Sequence, residues 1–177
     1  MAVRRKHIRS LVGRLLEAHT IESVPVQVAE IASTLGIRVQ YEPTEDELSG
    51  FLLRDISRQK TIIGVNECHH QNRQRFTIAH ELGHFFLHEQ EKLHIDRQFQ
   101  VNLRDGNSSS GESAEEKEAN LFAAELLMPV RFIQQDLAEV DALDLEHDDM
   151  LTELAKKYQV SVQAMTFRLA YLGYIQL

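Results

Sequence analysis

The run His80-Glu81-Leu82-Gly83-His84 constrains this chain more than any other stretch. Residues four apart on an α-helix stack one turn above each other, about 40° apart around the axis. Both imidazoles can therefore grip one ion if the segment is helical. Glu81 projects about 60° from His84 on the same side, which sets its carboxylate beside the place where a metal-bound water sits. The flanking residues agree with a helix over 73–89, because Phe76, Ile78, Ala79, Leu82, Phe85 and Phe86 supply apolar surface. Gly83 leaves room for a neighbouring backbone. Two ordinary surface histidines would also satisfy the pattern, so the motif needs the rest of a site.

A catalytic zinc takes three protein ligands and keeps a fourth position open. The helix expected over 114–128 offers Glu115, Glu116 and Glu118, and its apolar face is Ala119, Phe122, Ala123, Leu126 and Leu127. On a helical wheel Glu118 points away from that face. Glu115 and Glu116 flank it on opposite sides, and periodicity does not choose between them. Asn120 favours Glu116 weakly, since it lies one turn away, where an amide can brace a ligand. Glu125 reads as solvated helix surface.

The remaining pattern predicts an α+β fold in one compact unit of 177 residues. Ile8, Leu11, Val12, Leu15 and Leu16 fall at helical spacing, so the N-terminus reads as a surface helix and not a signal peptide. Val24-Pro25 signals a second helix start, and IRVQY (37–41) a strand. GFLLR (50–54) and KTIIGVN (60–66) form a hairpin, and which of its two strands is the sheet edge stays open. The segment 105–113 reads as a loop. Residues 148–173 read as helix, tight turn, helix, capped by Gly173, with Ala155, Val160, Val162 and Leu169 at buried-type positions. No stretch approaches the ~20 apolar residues of a membrane span. A single cysteine, Cys68, excludes an intrachain disulfide and fits a reducing compartment, so the cytoplasm is expected.

RFTIAHELGHFFLH, followed by EKEANLFAAELLMP, closely resembles the ImmA/IrrE family of zinc metallopeptidases. The resemblance extends upstream through VPVQVAEIASTLGIRV and LSGFLL…KTIIGVN, and downstream into VSVQAMTFRLAYLGYI, so it covers most of the chain. It implies a minimal zincin-like core, with an active-site helix and a small twisted sheet, over residues 1–135. A helix-turn-helix-like pair packed on it would occupy 136–177. It implies one zinc ion held by His80, His84 and Glu116, the Glu that opens the family's E-x-x-A-N stretch, with Glu81 as catalytic base. It also implies a helix-turn-helix repressor as protein substrate, cleaved to relieve repression in mobile elements or stress responses.

Zinc-water chemistry needs no Ser or Cys nucleophile, so Cys68 is a packing or surface residue. His88, one turn beyond His84, is a candidate oxyanion helper, as are Tyr171 and Tyr174; a structural role suits His88 better. His69, His70 and His94 have no spacing argument and are expected at the surface. Direct DNA binding by the tail is not expected, because net charge is −8 and Arg168 is the second helix's sole cation. The rival reading is a non-proteolytic zincin scaffold that sequesters a repressor or antitoxin. Nothing in the sequence indicates the oligomeric state.

Overall fold

The computed structural model describes residues 2–44, 48–55, 57–88, 92–96, 113–138 and 148–176. In chain order these form α1 (Arg5–Ala18), α2 (Val28–Thr34), β1 (Ile37–Glu42), β2 (Gly50–Asp55) and β3 (Lys60–Asn66). Then follow α3 (Gln71–Leu87), β4 (Leu93–Asp96), α4 (Ala114–Leu127), α5 (Val130–Asp136), α6 (Asp148–Tyr158) and α7 (Val162–Leu172). The class is α+β, as the hydrophobic pattern predicts. The loop expected at 105–112 and the acidic stretch 139–147 lie outside the described residues.

The sheet is mixed, in the order β1-β3-β2-β4. β2 and β3 are the expected antiparallel hairpin, with Leu52 opposite Ile63, while β1 joins β3 in parallel. β3 is central, and its successive buried residues Ile63 to Asn66 are what a strand covered on both faces requires. Neither hairpin strand is therefore an edge. The edges are β1 and the short β4, which pairs with β2. That corrects the expected placement of an edge at 50–54 or 60–66. The reason is topological: partners recruited from outside a hairpin leave no mark in its own alternation.

α1 buries Ile8, Val12, Leu15 and Leu16 as one stripe, packed against α4. α2 begins at Val28, not at Pro25, which precedes it in a bend after a cis peptide bond. Leu52, Ile63, Ile78, Leu82, Phe122 and Leu126 belong to one apolar core that continues into Leu154, Tyr158 and Leu169. α3 and α4 share the closest helix contact of the fold. A Cβ on Gly83 would stand 2.9 Å from the Ala119 Cα and 3.2 Å from the Phe122 Cβ, so only glycine permits this approach. The contact sets the histidines of α3 opposite the first turns of α4.

In the tail, Ala155, Val160 and Leu169 are buried as expected, but Val162 is 43% exposed at the start of α7. Gly173 closes α7 with φ +83, a left-handed conformation that suits glycine. No described helix is long and apolar enough to cross a membrane.

Candidate metal centre

α3 is anchored at both ends before it presents its histidines. The His70 ring caps its first turn by accepting from Asn72 N–H at 3.2 Å. At the far end the Arg54 guanidinium reaches over from β2. It donates to the carbonyls of His84, Phe85 and His88 at 2.9, 2.8 and 2.7 Å. A cation there satisfies the helix's orphan carbonyls and complements its dipole. Between these anchors, Phe76 through His84 are buried without a break, with His80, Glu81 and His84 all at 0% exposure.

α4 supplies the opposing side. Ser113 caps it, accepting from Glu116 N–H at 3.1 Å, so Glu116 is the third residue of the helix. Its carboxylate bridges the two rings: Oε2 lies 3.4 Å from His80 Nε2 and Oε1 lies 3.4 Å from His84 Nε2. The two Nε2 atoms are 3.1 Å apart. Glu115, the alternative that periodicity left open, is exposed.

The other ring nitrogens are held from behind. Asn120 Oδ1 accepts from His80 Nδ1 at 2.8 Å, and Nε2 of the same ring faces Glu116. Asn120 thus braces His80; the sequence placed it beside Glu116. His84 Nδ1 lies 3.1 Å from His88 Nδ1, and His88 Nε2 lies 3.4 Å from Glu118 Oε2. Arg4 Nη2 meets the same Glu118 oxygen at 2.6 Å, and Arg4 Nε meets Oε1 at 2.9 Å. One proton arrangement satisfies the whole chain, with His84 donating to His88, His88 to Glu118, and Arg4 to Glu118. His84 Nε2 is then a bare acceptor.

The electrostatics run the same way. Burial, outweighing the pull of Glu116, pushes His84 down to about 3, so its ring is neutral near pH 7. Burial pushes the Glu116 carboxyl up, but the facing His80 and His84 rings together hold it well below the usual carboxylate range. A neutral His84 imidazole and an ionised carboxylate are protonation states that a divalent cation requires. The spacing fits too. Donors bound at 2.0–2.1 Å on a tetrahedral ion stand about 3.3–3.4 Å apart. Glu81 lies beside this cluster, with a carboxylate oxygen within 4.8 Å of a His80 ring nitrogen and of an Asp96 oxygen.

Several expectations are corrected here. His94 is not a surface residue: its side chain is 12% exposed, and its Nε2 lies 3.4 Å from Glu116 Oε1. Its ring stacks on His84 at 3.6 Å between centroids. Glu118 turns from the cluster but is buried against Arg4, and Glu125, expected in solvent, is 3% exposed. Arg168 is fully buried, with Nη1 and Nη2 on the two Glu125 oxygens at 3.1 and 2.8 Å and Nε on the Met128 carbonyl at 3.0 Å. It is no exposed cation for phosphate. Tyr171 packs beneath Arg5 and Arg168, beside α1, and Tyr174 rests on the apolar core. His69 is half-buried near Asn66. His94 and Asp96 carried one usable signal, the alternation of LHID, with Leu93 and Ile95 outward and these two inward.

Comparison with known proteins agrees with this geometry. Residues 32–170 match the model of a peptidase family described as the IrrE N-terminal-like domain. Metallopeptidase ImmA of Bacillus subtilis (strain 168) is 23% identical over 170 residues, spanning 90% of this chain and 91% of that protein. A solved Mycobacterium tuberculosis transcriptional regulator shares the fold, with a TM-score of 0.64 at 17% identity. The match covers 94% of this chain and 47% of that one, so this chain spans about half the regulator's length. A His/Glu cluster with metal-ligand chemistry, on a fold and sequence matched over most of its length, makes this chain a member of the ImmA/IrrE family of metallopeptidases.

Proposed function

We propose that this chain is a zinc-dependent endopeptidase, acting in the cytoplasm on a helix-turn-helix repressor. His80, His84 and Glu116 hold one zinc ion, and Glu81 is the general base. The convergence of His80 Nε2, His84 Nε2 and both Glu116 oxygens within 3.1–3.4 Å carries this reading. A bound zinc ion supplies Lewis acidity toward the scissile carbonyl and acidifies a water. Glu81 accepts that water's proton on a carboxylate oxygen as the water attacks, then returns it to the departing amine nitrogen. Its complete burial excludes competing solvent from the proton it holds. Asn120 and His88 keep the two ligand rings in one tautomer and one orientation.

Residues 1–135 carry this chemistry, and 136–177 are a scaffold. Arg168 supports the scaffold role, because it ties α7 to α4 and offers nothing to DNA. The repressor substrate rests on family likeness to a metallopeptidase named ImmA and on fold likeness to a transcriptional regulator.

The test compares wild type and Glu81→Gln after zinc loading, each incubated with helix-turn-helix repressors encoded nearby. A discrete fragment pair from wild type alone, abolished by chelator, is the expected result. Zinc and repressor binding by both proteins without cleavage by either would replace this reading with a sequestering scaffold.

A further inference from the structure

β4 is four residues long, lies at the sheet edge and pairs with β2 through Gly50 to Leu53. Its side chains alternate. Leu93 and Ile95 are 53% and 44% exposed, while His94 and Asp96 turn inward beneath the strand. His94 thereby enters the cluster that α3 and α4 build. One ligand atom from each of His80, His84, His94 and Glu116 lies within 4.8 Å of the others. His94 Nε2 stands 3.4 Å from Glu116 Oε1, the same distance as His84 Nε2. Its ring stacks on that of His84, 20° from parallel with centroids 3.6 Å apart.

We infer that His94 Nε2 is a fourth protein donor to the same ion, closing the resting centre, so that peptide hydrolysis requires His94 to withdraw with β4. This rests on the peptidase reading above and adds a resting state to it. Four protein donors are the pattern of a structural zinc site, whereas catalysis needs one position open to water. One donor must leave, and the fold singles out which. His80, His84 and Glu116 sit on two long helices locked together across Gly83. His94 sits on a four-residue strand that, among the described strands, pairs with β2 alone. A short edge strand is among the least costly elements to displace. As β4 moves, His94 carries its lone pair away and a water takes its place beside Glu81. Asp96, on the same strand, moves away from Glu81 as well.

The alternative role for an imidazole here is a hydrogen-bond donor to the oxyanion, with the fourth position open at rest. The two differ in what wild type binds before any substrate arrives. X-ray absorption at the zinc edge of the loaded full chain counts coordinated imidazoles. The expected count is three in wild type (His80, His84 and His94) and two in His94→Ala. In competition with a chromophoric chelator, zinc affinity falls about tenfold or more in His94→Ala, at least the loss typical of an outer-shell partner. His94→Cys, which restores a donor, recovers the affinity. With cobalt in place of zinc, added azide leaves the wild-type visible spectrum unchanged and alters that of His94→Ala. Two imidazoles and an azide-responsive spectrum in wild type would overturn the inference and leave the peptidase reading standing. Failure of wild type to take up stoichiometric metal would sink both. The wild-type count decides the matter even if a variant does not fold.

Discussion

α4 carries two carboxylates whose surroundings are opposite in kind, a buried Glu125 and a half-buried Glu116. Near its C-terminal end Glu125 is gripped by both terminal nitrogens of Arg168, with Arg9 adding two contacts to Oε1 at 3.3 Å. Charge is balanced there, and the guanidinium also satisfies the Met128 carbonyl. Near its N-terminal end Glu116 faces His80, His84 and His94. His84 and His94 are both pushed toward the neutral form, chiefly by burial. The first pair is complete as protein. The second brings three imidazoles to one half-buried carboxylate, with no arginine or lysine on it among the described residues. The contrast separates a structural ion pair from a cation site on one helix, and it does so without reference to family.

The largest effect should come from breaking the complete pair. Arg168→Ala leaves buried Glu125 with only the half-exposed Arg9 at 3.3 Å, at a cost of about 3–5 kcal/mol in denaturant unfolding of the metal-free chain. Replacing both partners, as Arg168→Met with Glu125→Leu, should recover most of that loss. A mild single variant would mean that Arg9 or water compensates, and the contrast would weaken.

At the other end the same kind of change should behave in the reverse way. Glu116→Gln removes a half-buried charge that no arginine or lysine among the described residues pairs with, so metal-free stability should hold or rise. Zinc at a hundred times its dissociation constant should raise wild-type stability by about 2.7 kcal/mol. In Glu116→Gln that gain should disappear, as it should from wild type treated with chelator. Equal zinc-dependent stabilisation of both proteins in thermal or chemical melts would place the ion elsewhere.

The two ends also differ in how legible they are. His80, Glu81 and His84 are visible in sequence because α3 is a helix, and helical spacing states which side chains share a face. On α4 the same spacing leaves Glu115 and Glu116 level, and the family resemblance makes the choice. Glu125 and Arg168 are misread by the same spacing. Leu121 through Leu127 are all buried, so a wheel that assumes a solvated side finds one where none exists. His94 fails differently. Its position depends on β4 pairing with Leu53, Leu52, Phe51 and Gly50, a long-range contact that four residues cannot announce. Asn120 is found beside Glu116, but its contact with His80 is not, since a wheel shows neighbours on its own helix and not across the interface.

That Asn120 contact sharpens the contrast at intermediate scale. Asn120→Ala frees the His80 ring to rotate and to exchange tautomers, and zinc affinity should drop about 10–100-fold. Asn120→Asp keeps an acceptor and should lose less. Isothermal titration or chelator competition reads both. Equal losses from the two variants would mean that Asn120 acts through packing and not through His80 Nδ1.

The smallest effect concerns Glu118, another buried carboxylate of α4, which lies between the two extremes. Glu118 takes its charge balance from Arg4, whose side chain is 49% exposed, and it reaches the metal cluster through His88. The Arg4 hydrogen bonds hold the Glu118 carboxyl down at about 2, from an ordinary value of 4.5. A carboxyl depressed by folding adds stability that is fully present above its unfolded value and is lost as pH falls through its folded value. The Arg4–Glu118 contribution should therefore fade between about pH 4.5 and about pH 2. Solvent screening at the exposed Arg4 limits it to about 1 kcal/mol. Measured as the stability difference between wild type and Glu118→Gln in metal-free protein, it should be largest above pH 5 and shrink on acidification. If the difference instead stays constant with pH, Glu118 contributes through packing, and the line from Arg4 to His84 carries no charge.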